Sequence, residues 1–230
     1  MRHTELLPEP LAPEPLIILN RWMAEAWQHR LQPNPNAMVL ATCDGAGQPS
    51  ARVVLCKEVV QVPGYLVFYT NYLSRKGRQL AENPRAAAVI HWDALHRQVR
   101  IEGPVLQAPA ADSDAYFASR PWPSRLGAWA SAQSEPVASR AAMLESLAAA
   151  AERFGAPLPG QTAAAAETDL NTAIPRPPHW GGYHLWAQTV ELWVEGEARV
   201  HDRARWTRKL TELPSGFFET GPWTATRLQP

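Results

Sequence analysis

The chain predicts a mostly β fold with peripheral helices, an α+β arrangement in which a closed or split β-barrel carries helices packed around it. Three observations lead there. Five or six short strand patterns bounded by turn residues come early, helical patterns occupy the middle, and strand patterns return near the end. No internal repeat interrupts this order.

Residues 1–15 hold three acids and four prolines without periodicity and predict a flexible N-terminal arm; residues 16–230 predict a single domain. From Leu16 to Leu31 apolar residues recur at helical spacing (Leu16, Leu19, Met23, then Ala26 or Trp27), and Pro33-Asn34-Pro35 stops that helix. Ala37 to Cys43 reads as a strand, Asp44-Gly45-Ala46-Gly47 as a hairpin turn and Ser50 to Val60 as its partner. Tyr65 to Thr70 is a third strand. Ser74 then caps a short helix that ends before Pro84. Ala86 to Trp92 and Gln98 to Leu106 read as strands around the loop Asp93 to Arg97. Asp112 or Ser113 caps a helix running to Arg120 and closed by Pro121; Ser124 to Ser131 is a shorter helical piece and Ser139 to Phe154 a longer, Ala-rich one. Residues 155–179 are dense in Ala and Pro and predict a loop or partly ordered insertion. Tyr183 to Val194, Ala198 to Arg203 and Trp223 to Leu228 supply the final strands.

Bulk composition narrows the function. A hydrophobic content of 46% with 19% charged residues is globular. Formal net charge is zero, so no global field attracts nucleic acid or an anionic membrane, and any basic site is local. No apolar run approaches the roughly 20 residues that span a bilayer, and the N-terminus lacks the basic start and apolar core of a signal peptide. The expectation is a cytoplasmic protein without membrane or nucleic-acid partners. Cys43 and Cys56 lie in apolar strand patterns and read as reduced core residues. Neither His91 with His96 nor His179 with His184 has ligand spacing with a nearby acid, so no metal site is expected. Ten tryptophans imply large flat surfaces, in the core or against an aromatic ligand.

Several stretches could carry chemistry. Ser74-Arg75-Lys76 opens a helix, where free N–H groups and the dipole already favour an anion; two cations in that first turn fit a phosphate, or simply point to water. Tyr116 and Arg120 are four apart on one helix, and Ser124 follows the Pro121-Trp122-Pro123 bend. A phenol, a guanidinium and a hydroxyl suit a phosphomonoester; the other reading is a helix C-terminus stabilised by its own arginine. Arg52 and Lys57 are an odd number apart and face opposite ways in a regular strand, converging only if Lys57 lies at a strand end or bulge. Gln98 lies opposite the Val99 and Ile101 face, in solvent or in a polar cavity. Val190 to Val194 followed by a Glu195-Gly196-Glu197 turn makes Ala198 to Arg203 a returning strand. Arg199, His201 and Arg203 then share one face, an anion-reading surface or a solvated edge. No Gly-rich nucleotide loop or nucleophile motif is present, so a cofactor phosphate would be held by side chains.

Taken in order, Arg52-Val-Val-Leu-Cys-Lys57, Phe68-Tyr69-Thr70-Asn71, Ser74-Arg75-Lys76, Arg97-Gln98-Val99 and Tyr116-Phe117-Ala-Ser-Arg120-Pro121 form a set. They are followed by Gly127-Ala128-Trp129, Gln133-Ser134, Trp180-Gly181-Gly182-Tyr183, Glu191-Leu192-Trp193, Arg199-Val-His-Asp-Arg203 and Arg227-Leu228-Gln229-Pro230. The set closely resembles the pyridoxamine (pyridoxine) 5′-phosphate oxidase family, FMN enzymes with a split-barrel fold that work as homodimers. The match runs from about Glu14 to Pro230, interrupted near 155–174 and 208–222.

The resemblance implies that Arg52, Val53, Tyr69, Thr70, Arg75, Lys76 and Gln98 hold FMN from one subunit, and that Gln133, Ser134, Trp193 and Arg203 complete the site from the other. Lys57, Tyr116, Arg120 and Ser124 would bind the substrate phosphate, while Arg199 and His201 orient the pyridine ring. The implied reaction oxidises pyridoxamine or pyridoxine 5′-phosphate with O2 to pyridoxal 5′-phosphate, releasing H2O2. Family members usually carry an Arg and a Tyr in the N-terminal arm; residues 1–13 here hold Arg2 and no Tyr.

Overall fold

The computed structural model describes residues 5–30, 32–160 and 173–230. These fall into two compact units. One comprises the described residues of Met1–Phe68, Glu82–Leu106 and His184–Pro230, the other those of Tyr69–Ala81 and Gln107–Tyr183.

The first unit opens with helix α1 (Pro15–His29). Pro15 takes the first helical position, where its missing N–H costs nothing, and Leu16, Leu19, Trp22, Met23 and Ala26 bury one face. Residues 5–14, expected to be a loose arm, are docked. Leu7 N–H donates to Asp202 Oδ2 at 2.7 Å, Trp206 Nε1 donates to Ala12 O at 2.7 Å, and Trp223 Nε1 donates to Glu14 at 3.0 Å. Arg227 adds bonds to Pro8 O, Glu9 and Asp202.

Strands β1 (Ala37–Cys43) and β2 (Pro49–Leu55) form the expected hairpin, with Asp44 Oδ1 accepting from the Ala46 and Gln48 N–H groups. The predicted strand Ser50 to Val60 is two. After β2 the chain changes partner: Cys56 N–H still reaches Asn36 O, but Lys57 N–H goes to Val67 O, and β3 (Glu58–Val60) pairs with β4 (Tyr65–Asn71). β5 (Arg85–Trp92) and β6 (Arg97–Gln107) follow as expected. The predicted strand Tyr183 to Val194 also divides, into β7 (Trp180–Trp186) and β8 (Thr189–Val194). Long β6 pairs with both of these. At the break, Arg208 donates to Ala187 O, Pro63 O and Gly64 O, each at 2.7 Å, with its guanidinium 4.3 Å from the Trp223 ring. Burial lowers its pKa to about 10.

Ala198 to Arg203 is not a strand. Glu197–Arg199 is a single 3-10 turn with Ala198 and Arg199 in left-handed conformation (φ 50° and 64°), and β9 (Asp202–Thr207) begins only afterwards. Short β10 (Leu210–Glu212) and β11 (Phe218–Thr220) pair with each other, and β12 (Thr224–Leu228) closes the chain. The main sheet runs β12-β9-β8-β6-β5-β1-β2. One face packs Ile90, Val99, Ile101, Val190, Leu192, Ala204 and Trp206 into the core. The opposite face carries Gln98, Arg100, Glu191, Trp193 and Arg203.

The second unit holds the helices. α2 (Arg75–Glu82) starts at Ser74 as expected, its hydroxyl accepting from Gly77 N–H at 3.3 Å. α3 (Ala110–Ser119) starts earlier than expected, after Pro109; buried Ser113 instead accepts from Gly182 N–H at 3.0 Å. α4 (Trp122–Ala130) likewise starts early, because Pro123 fits a helix's first turn. α5 (Arg140–Phe154) is capped by Ser139, which accepts from Ala142 N–H, and ends on left-handed Gly155 (φ 60°). Phe117, Trp122, Leu126, Ala150, Ala151, Ile174 and Trp180 make this unit's core. Of the predicted insertion, residues 155–160 and 173–179 have neither helix nor strand before β7, while 161–172 lie outside the described residues. Among the described residues, no helix is long and apolar enough to cross a membrane.

Candidate functional site

In the second unit, the first turn of α2 buries Lys76. Lys76 is 8% exposed, and its ammonium donates to Thr70 Oγ1 at 2.8 Å, Ser74 Oγ at 3.1 Å and Gln133 Oε1 at 2.7 Å. Thr70 Oγ1 also donates to Gln133 Oε1, at 3.3 Å. Gly77 is obligatory here, because a Cβ would stand 2.0 Å from Tyr72 O. An ammonium, hydroxyls and helix-terminal N–H groups form a donor set suited to phosphate oxygens. Arg75 is exposed on the first turn, and Ser134 follows Gln133 in left-handed conformation (φ 75°). Gln133 thus joins Thr70 and Lys76 within one chain.

The second cluster is aromatic. Tyr69 stacks on Tyr116 (centroids 3.9 Å apart, 18° between planes) and on Trp180 (5.5 Å, 11°). Gly182 makes room, since a Cβ there would approach Tyr69 Cε1 to 2.9 Å. Arg120 caps the end of α3, and its guanidinium carbon lies 4.7 Å from the Trp180 ring centroid and 5.4 Å from that of Phe117. Arg120 Nη1 is buried with no hydrogen-bond partner among the described residues. Burial lowers this guanidinium's pKa, with Tyr116 acting in the opposite sense. A desolvated cation with an unspent donor is an anion site in waiting. Tyr116 and Arg120 meet on Trp180, whereas Ser124 stands exposed on the first turn of α4. Trp180 and Gly182 escaped the residue-by-residue reading; the Trp-Gly-Gly run was their only signal.

In the first unit, Gln98 pairs with Trp193 across β6 and β8, and Trp193 with Arg203 across β8 and β9. Directly opposed residues share a face, so the three form one row. Glu191, buried at 6% exposure, grips Arg203 (Oε1 to Nη2 2.8 Å, to Nε 3.1 Å) and accepts from Arg100 at 3.3 Å. This carboxylate was not singled out as a site residue. Arg203 Nη1 donates to Gln229 O at 2.9 Å. Arg52 reaches back across the hairpin to Leu40 O (3.0 Å), Thr42 Oγ1 (2.7 Å) and Ser50 Oγ (2.5 Å), while Val53 is 65% exposed. Lys57 follows the end of β2, so the parity argument against its converging with Arg52 does not apply. Arg199 is exposed on the 3-10 turn rather than sharing a strand face with His201 and Arg203. The His201 ring lies 4.7 Å from the Trp193 ring at 42°.

This strand order belongs to the class of split-barrel proteins. The chain superposes on PhzG from Burkholderia lata 383, solved with tetrahydrophenazine-1-carboxylic acid. The TM-score is 0.78 and the identity 28%, over 95% of this chain and 94% of that one. A pyridoxamine 5′-phosphate oxidase-related, FMN binding protein from Nostoc punctiforme shares the fold at TM-score 0.60 and 17% identity, over 96% and 98% of the two chains. Within that class, residues 23–154 match the family described as pyridoxamine 5′-phosphate oxidase, and residues 180–230 the pyridoxine 5′-phosphate oxidase C-terminal dimerisation region. Pyridoxine/pyridoxamine 5′-phosphate oxidases from Burkholderia orbicola (strain MC0-3) and Paraburkholderia phymatum are each 45% identical to it. Each alignment spans 95% of this chain and 90% of the relative. The chain belongs to the pyridoxamine 5′-phosphate oxidase family.

Proposed function

We propose that the protein is an FMN-dependent oxidase converting pyridoxamine 5′-phosphate, and pyridoxine 5′-phosphate, with O2 to pyridoxal 5′-phosphate, the last step in making that cofactor. H2O2 is released, with ammonia from the amine, and the working unit is a homodimer. The observation that carries the reading is Arg120: a half-buried, aromatic-backed guanidinium whose buried Nη1 has no hydrogen-bond partner among the described residues calls for a phosphate-bearing substrate. The donor set of Thr70, Ser74, Lys76 and Gln133 fits the cofactor phosphate, and the row Gln98, Trp193 and Arg203 offers hydrogen bonds and an aromatic edge suited to the isoalloxazine. When bound, FMN supplies the hydride acceptor and passes the electrons to O2.

The chain's own work is positional. Arg120, Tyr116, Ser124 and Lys57 bind the substrate phosphate, while Arg199 and His201 set the ring so that its 4′ carbon presents a hydrogen. No general base is required of them. A second reading, oxidation of a reduced phenazine acid such as the tetrahydrophenazine-1-carboxylic acid bound to PhzG, draws on the fold shared with that protein. The two separate in one experiment. The purified yellow protein is mixed in air with pyridoxamine 5′-phosphate or with tetrahydrophenazine-1-carboxylic acid, each beside a protein-free control, and aldehyde, oxidised phenazine and peroxide above that control are followed. Aldehyde and peroxide from the first are expected. Product only from the second transfers the assignment to phenazines, and bound flavin with neither product leaves a carrier.

A further inference from the structure

The turn that displaced the expected strand has a chemical consequence for His201. Gly196 N–H donates to His201 Nδ1 at 3.2 Å. A backbone N–H can only donate, so Nδ1 is the acceptor nitrogen and the proton of the neutral ring lies on Nε2. The turn is built around this contact. A Cβ on Gly196 would stand 1.8 Å from Val200 O, so only glycine fits. The backbone then spends two consecutive left-handed residues, Ala198 and Arg199, before His201 N–H closes on Arg199 O at 2.9 Å. Such conformations cost energy and persist where surrounding structure imposes them. The Trp193 ring flanks the imidazole on another side.

We infer that Gly196 is a positioning residue which locks His201 in the Nε2–H tautomer, so that His201 meets its ligand as a hydrogen-bond donor and reads an acceptor atom. This rests on the proposed oxidase reading for what His201 touches, but the tautomer itself is a property of the chain. Glu195-Gly196-Glu197 is thereby more than a turn: it sets the polarity of the ring two residues before Arg203.

The test is 15N-histidine NMR of the FMN-loaded protein at alkaline pH, where imidazoles are neutral. A His201 signal pair with a protonated Nε2 and a bare Nδ1 is expected in the absence of any substrate. Gly196→Ala should convert it to a tautomer mixture while leaving flavin bound. Turnover of pyridoxamine 5′-phosphate should then fall by about 10²-fold, the usual scale for a misplaced group. In a second pair, His201→Gln, which keeps a donor near the Nε2 position, should retain more turnover than His201→Asn, which does not. A protonated Nδ1 in the parent protein, or an unchanged tautomer in a folded Gly196→Ala protein, overturns the inference. Absence of oxidase turnover with the expected tautomer intact would instead overturn the functional reading alone.

Discussion

At the scale of single residues, burial decides which groups remain chemically available. Arg120 carries its charge at a cost and recovers it only by meeting an anion. Arg120→Lys keeps the charge but loses the planar fork. With pyridoxamine 5′-phosphate, kcat/KM should fall about 10- to 100-fold, chiefly through KM, in steady-state assays. Cys56 is the opposite case. Its thiol donates to Glu58 O at 3.3 Å, and burial pushes its pKa up to about 12 from the ordinary 9.0. The folded state therefore holds this proton where the unfolded chain releases it. The contribution to stability is full below pH 9 and is lost as pH climbs towards 12. Thermal melts of Cys56→Ala across that range should show a shallower alkaline decline than the parent. Cys56 should also resist thiol reagents at pH 8 until the protein unfolds.

At the scale of elements, partner changes matter more than propensity. Helices were legible because their signals are local: Ser74 caps as expected, the helix read from Ser139 to Phe154 is bounded by a Ser139 cap and left-handed Gly155, and Pro15 fits a first turn. Strands that switch partners were not. Nothing in Val54-Leu55-Cys56-Lys57 announces that the backbone trades β1 for β4, because the hydrogen bonds responsible come from Asn36 and Val67. The returning strand at Ala198 failed for a related reason: alternation of Arg199, His201 and Arg203 satisfied the strand pattern, while Gly196 N–H and two left-handed residues imposed a turn. The candidate site was legible as residue types, and its grouping was not. The bond between Gln133 and Lys76 spans 57 residues. The link between Trp180 and Arg120 testifies to the same distance problem and has its own test. Trp180→Leu should raise KM for the phosphorylated substrate several-fold with flavin still bound, and Trp180→Phe, which restores a ring, should recover most of it.

At the scale of the whole molecule, the N-terminal arm and the C-terminal strand belong to one network. Asp202, one residue from His201, accepts from Leu7 N–H and pairs with Arg227, which also holds Glu9. Exposed ion pairs contribute little singly, but here they share one guanidinium with backbone bonds. Arg227→Ala should expose the arm, so limited proteolysis should cut within residues 5–14 well before it cuts the parent protein.

That docking also equips the molecule with an internal gauge. The indole protons of Trp206 and Trp223 are committed to Ala12 and Glu14, with no other element needed to hold them. Their exchange with solvent deuterium is therefore tied to departure of the arm, and their two indole resonances, once assigned, would report how often it lifts in the intact protein.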